Sequence, residues 1–95
     1  MVNPVRGEVA LEIAGRGCTL KFTLGVLAQL ESTFQVESLA ELGQRLGRLN
    51  ASDLIEVLSL LLEAGGHEDA RPPASQAPPS QAAKAVAECI KANLE

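Results

Sequence analysis

At 95 residues the chain has room for one domain with one modest core, since chains of this size bury roughly 60–68% of the surface their unfolded state exposes. Twelve Asp and Glu outweigh eight Lys and Arg, giving a net charge of −4, and the aromatic complement is two phenylalanines with no Trp or Tyr. That balance argues against a nucleic-acid partner, because no basic run neutralises phosphates and no aromatic platform stacks bases.

The first element is a run of alternation. Val9, Leu11 and Ile13 point one way, while Glu8, Ala10 and Glu12 point the other. Cys18, Leu20, Phe22 and Leu24 repeat the pattern against Thr19, Lys21 and Thr23. Between the runs, Ala14-Gly15-Arg16-Gly17 is turn chemistry, because glycine accepts positive φ without steric cost. Two period-2 runs joined by a short Gly-rich loop predict a β-hairpin with one buried face. On its outer face, Glu8 and Glu12 are expected to form a cross-strand ion pair with Lys21.

Thr23 is placed to cap a first helix carrying Leu27, Leu30 and Phe34 on one stripe. Ser38-Leu39-Ala40-Glu41 has the spacing of a capping box and opens a second helix with Leu39, Leu42, Leu46 and Leu49 on one side. Gly43 and Gly47 flank that stripe, each at a cost of about 1 kcal/mol relative to alanine. The cost makes sense if another backbone approaches closely; the alternative is a loose helix. Asn50-Ala51-Ser52-Asp53 caps a third, very apolar helix from about Asp53 to Ala64, with Asp53, Glu56, Ser59 and Glu63 as its polar strip. Leu60 falls inside that strip. Gly65-Gly66 ends the helix, since glycine takes the left-handed conformation that closes one.

Four prolines among small polar residues between Arg71 and Ser80 predict an extended linker. A last helix, Gln81 to Leu94, carries a thin apolar stripe of Val86, Cys89 and Ile90. The fold class is thus α+β: an N-terminal antiparallel β-hairpin packed on a bundle of three to four short α-helices. Residues 1–66 make the hairpin and three-helix core, 67–80 the Pro-rich linker and 81–95 the C-terminal helix, within a single domain overall.

No catalytic constellation emerges. His67 is the sole histidine and lies far in sequence from both cysteines, whereas a zinc site wants three or four N or S ligands. Gly15-Arg16-Gly17 lacks the third glycine and following helix of a dinucleotide loop. A helix-turn-helix is excluded because the segment Asp53–Ala64 carries none of the Lys, Arg, Asn or Gln with which bases are read. No cofactor, metal or catalytic residue is therefore assigned. The N-terminus lacks the plan of a signal peptide, and no apolar run approaches the roughly 18 residues of a membrane span. The expectation is a cytoplasmic chain with no membrane partner and two reduced cysteines, a Cys18–Cys89 disulfide being the alternative.

What remains is protein binding, with Leu60, Val86, Cys89 and Ile90 as the candidate interaction residues. Either the last helix covers Leu60 and completes the core, or the linker lets it lift and an amphipathic segment of a partner takes its place.

Several blocks agree in order and spacing with one family. Arg6-Gly7-Glu8-Val9, then Thr23-Leu24-Gly25-Val26-Leu27-Ala28-Gln29-Leu30-Glu31, and later Leu49-Asn50-Ala51-Ser52-Asp53-Leu54-Ile55 and Ala64-Gly65-Gly66, resemble the small gene-transfer-agent and phage tail proteins of the tail assembly chaperone family. The resemblance covers roughly residues 6 to 66. Members often continue into a short acidic helix, where this chain has its proline-rich stretch. The resemblance implies a non-enzymatic tail assembly chaperone in a bacterial host cell, shielding the tape-measure protein or binding other tail proteins. Its alternative is a structural tube component retained in the mature particle. Two strands are few for a tube ring, which favours the chaperone on fold analogy.

Overall fold

The computed structural model describes residues 8–94, so Arg6, Gly7 and the final Glu95 lie outside the described residues. Two strands, β1 (Val9–Ile13) and β2 (Arg16–Leu20), precede five helices among those residues. The helices are α1 (Leu24–Phe34), α2 (Leu39–Leu46), α3 (Ala51–Ala64), α4 (Arg71–Ser75) and α5 (Pro79–Leu94). The architecture is the α+β arrangement that the sequence predicts.

The hairpin is antiparallel, with Val9 opposite Leu20, Leu11 opposite Cys18 and Ile13 opposite Arg16. Leu11, Ile13, Cys18 and Leu20 are buried on one face, as the alternation requires. The turn is tighter than expected. Only Ala14 and Gly15 lie outside the strands, both at positive φ (53° and 80°), while Arg16 and Gly17 continue the ladder. Positive φ at both central residues is the type I′ geometry, whose twist matches that of the strands it joins. Alanine is a poor occupant of the first position. Ala14→Asn, which restores the favoured Asn-Gly pair, should raise stability by about 1 kcal/mol in a denaturant titration; no gain would mean the turn relaxes to another geometry.

The expected ion pairs of Lys21 with Glu8 and Glu12 do not form among the described residues. Glu12 stands opposite Gly17, and Lys21 has left the ladder to donate its backbone N–H to the Leu61 carbonyl at 3.0 Å. Leu24 also departs from the alternating run: it opens α1 and is 81% exposed.

Local caps set the helix ends. Thr23 Oγ1 accepts from the Val26 N–H at 3.1 Å, and Ser38 Oγ from the Glu41 N–H at 3.1 Å. The Glu41 carboxylate returns not to Ser38 but to the Glu37 N–H, at 2.7 Å. Asn50 and Asp53 form the reciprocal box that starts α3. Leu49 falls in the connection after α2, and of its expected stripe only Leu42 is buried. At the far end of α3, His67 N–H reaches the Leu62 carbonyl and Gly66 N–H that of Glu63, with Gly66 at φ 104°. This is the Schellman closure, in which a left-handed residue lets two free carbonyls find donors.

α3 is the central element and packs on α1, α4, α5 and β2. Val57, Leu58, Leu61 and Leu62 have no exposed surface. Ser59 is buried rather than part of a polar strip, its hydroxyl donating to the Ile55 carbonyl at 2.7 Å. The proline-rich stretch is partly helical: Arg71–Ser75 form α4, and Ala70 and Ala74 join the core. Prolines in a first helical turn remove only N–H groups that have no intrahelical partner, so Pro72 and Pro73 start α4 instead of preventing it. Arg71 reaches Glu56 of α3 at 2.9 Å, an exposed ion pair.

α5 packs on α3 and both strands. Its stripe is broader than expected, since Ala82 and Ala85 are buried beside Val86, Cys89 and Ile90.

Candidate functional site

An apolar groove of about 590 Å³ lies between α2 and α5. Leu46, Leu49 and Leu54 line it from the α2–α3 side, and Val86 and Ile90 from α5. Its two rims are made of small residues four apart: Gly43 of α2 with Gly47 at that helix's C-cap, and Ala83 and Ala87 on α5. Lys91 supplies the charged group. A Cβ built on Gly43 would meet nothing within 4 Å, and one on Gly47 only ordinary contacts within its own turn. The close backbone approach expected at these glycines is therefore absent among the described residues. The strip faces open space.

The groove is rigidly framed. Arg45 of α2 binds Asp53 of α3 at 2.7 Å and lies over the Phe34 ring of α1, its guanidinium carbon 4.8 Å from the centroid. One planar cation thus holds three helix ends, through the fork geometry and weak hydration that suit arginine to such sites. A second arginine contact, from Arg45 to the Arg48 carbonyl at 3.1 Å, fixes the turn that follows α2.

Of the four interaction residues that the sequence points to, the structure brings Val86 and Ile90 together in this groove, each about 5% exposed. Leu60 does not line it; it is half-buried against the core. Cys89 has no exposed surface. The residues that sequence reasoning missed are the small ones, Ala83 and Ala87. Their signal was an i, i+4 spacing matching that of Gly43 and Gly47. Leu39, at the start of α2, is 47% exposed.

Cys18 and Cys89 are buried thiols, not joined in a disulfide. Burial, with the negative charge of Glu8 nearby, pushes the Cys89 thiol up to about 11. Both effects penalise the thiolate, which is the reactive form. Below pH 9 the thiol is neutral in both folded and unfolded chains, so it contributes no pH dependence. Between pH 9 and 11 the unfolded chain releases the proton and the folded one keeps it, so stability falls as pH rises. Thermal melts from pH 8 to 11 should show that fall, reduced in Cys89→Ala; an equal slope in both proteins would assign it to other groups.

His67 Nδ1 donates to the Glu68 carbonyl at 2.8 Å, and no group of three metal-ligating side chains forms among the described residues. None of the described helices is long and apolar enough to cross a membrane.

A family model described as phage tail tube protein, GTA-gp10, matches residues 6–95. Neither curated proteins nor solved structures give a match. The match runs through the proline-rich stretch and α5, so the resemblance does not stop at Gly66. It also overturns the expectation of a tail assembly chaperone shielding the tape-measure protein: the family is described by a place in the tube, the role the sequence analysis held as the alternative.

Proposed function

We propose that this chain, which belongs to the phage tail tube protein family of the GTA-gp10 type, is a structural tail component retained in the mature particle. The observation that carries the reading is the extent of the match, residues 6–95, which takes in the hairpin and every helix. A tube subunit meets other tail proteins as its normal state, and its work is shape and contact rather than catalysis. The chain's build suits that work. α5 is packed into the core and the Arg45 contacts lock three helix ends, so the surfaces offered to neighbours are held by a rigid body.

The two five-residue strands among the described residues cannot by themselves close a barrel, because closure needs several strands of consistent tilt and stagger. A tube wall built from this protein is completed between chains, within the cytoplasm of the bacterial host where particles assemble. Quantitative mass spectrometry of purified particles tests the reading. The chain should be recovered in many copies per particle; its absence from intact particles would end the proposal.

A further inference from the structure

The two outer edges of the hairpin are treated differently by the rest of the fold. The Ala14-Gly15 turn makes Ile13 and Arg16 a hydrogen-bonded pair. By the alternation of an antiparallel ladder, Leu11–Cys18 and Val9–Leu20 are bonded pairs too, and the backbone groups between them point out of the sheet. On the β2 side α3 meets those groups: the Lys21 N–H donates to the Leu61 carbonyl, and Gly65 lies against the Thr19 carbonyl. On the β1 side they are the N–H and C=O of Ala10 and Glu12, and no hydrogen bond to them forms among the described residues. A cleft of about 310 Å³ separates this open edge from α5, lined by Leu11 and Glu12 on the strand and by Lys84, Ala85 and Glu88 on the helix. Glu8, at the entry to β1, adds a third carboxylate against the single lysine, and none of these charges forms an ion pair among the described residues.

We propose that the outer edge of β1 is the docking site for an extended, cation-bearing segment of a neighbouring tail protein, which joins the hairpin as a third strand. The edge dictates the chemistry of its occupant. In antiparallel addition, the residues that exchange hydrogen bonds with Ala10 and Glu12 carry their side chains on the exposed face beside Glu12, where lysine or arginine meets an unpaired carboxylate. The residue between them faces the cleft beside Leu11 and Ala85, where an apolar side chain fits. A second copy of this chain is a poor donor of that strand. Pairing β1 with itself about Ala10 sets Glu8 against Glu12, and like charges directly opposite are destabilising. The edge of β2 is already taken by α3. The strand therefore comes from a different protein. That this protein belongs to the tail rests on the tube reading; the open edge and its charge do not.

Titration of the isotope-labelled full chain with a capped peptide of alternating lysine and valine provides the test. Binding should slow hydrogen exchange at the Ala10 and Glu12 N–H groups by about tenfold or more, leave Leu11 unchanged because its N–H already faces β2, and weaken as salt is added. N-methylation of the peptide's lysines, whose N–H groups would face the edge, should abolish binding, whereas N-methylation of its valines should not. Glu12→Lys, at an exposed position opposite Gly17, should shift preference to a peptide of alternating glutamate and valine without lowering the melting temperature. Three results would overturn the proposal: no protection at Ala10 and Glu12, equal binding of the lysine-methylated peptide, or protection of both groups by self-association of the chain without peptide. Recovery of the chain in purified particles tests the tube reading separately, and neither measurement decides the other.

Discussion

Gly65→Ala should cost about 3 kcal/mol, near the upper end for overpacking of a rigid site, and lower the melting temperature by roughly 12 °C or more for a domain of this size. The cause is not conformational freedom, since Gly65 has an ordinary φ of −80°. A Cβ at this position would overlap the carbonyl group of Thr19. That carbonyl belongs to the penultimate residue of β2, a strand paired to β1 on one side and pinned to α3 by the Lys21–Leu61 hydrogen bond just beyond it. Neither backbone is free to retreat. Gly66→Ala makes the useful contrast: its surroundings are empty, and the cost there is only the left-handed backbone, about 1–2 kcal/mol. Denaturant titration of both variants separates the effects. If Gly65→Ala costs no more than Gly66→Ala, the end of α3 does not lie against β2.

The second large effect concerns α5. A chain stopped after Ala77 should lose cooperative folding. Val86 and Ile90 each contribute about 1.5–3 kcal/mol when fully buried, and the smaller Ala82, Ala85 and Cys89 add to this. The sum is on the order of 5 kcal/mol, against a net stability for such domains of about 5–15 kcal/mol. The truncation also uncovers the apolar face of the hairpin, because α5 packs on both strands. Loss of the sigmoidal melt, with dye binding to exposed apolar surface, is the expected result. A truncated chain that melts sharply near the wild-type temperature would make α5 an appendage.

The sequence carried some of this plainly and some of it not at all. Leu11, Ile13, Cys18 and Leu20 alternate strictly, and a period of two has one structural solution when one face must be dry; all four are buried. The turn between the strands is not legible locally: Gly17 looks like a turn residue, while what settles its place is pairing with Glu12. The stretch around Pro72 and Pro73 reads as linker because proline breaks helix interiors. Nothing local told that these prolines stand in a first turn, or that Ala70 and Ala74 would be covered by α3. The groove was half legible. The cost of Gly43 and Gly47 could be read from composition, but whether they face inward or outward depends on where α5 docks, and that contact spans half the chain.

The packing of α5 on β1 also sets the order in which the protein can become complete. The hairpin leaves the ribosome before the helices, with Leu11, Ile13, Cys18 and Leu20 on one face, yet part of its cover is α5, made about sixty residues later. At roughly 5–20 residues per second, translation leaves that face incompletely covered for several seconds in each nascent chain. Contacts between distant segments are also the slow ones to close, since loop entropy must be overcome before they contribute. In the many-copy role proposed for it, nascent chains would pass through a stage in which apolar strands from neighbouring ribosomes can meet, and synthesis rate as well as final stability would then govern how much of the protein folds.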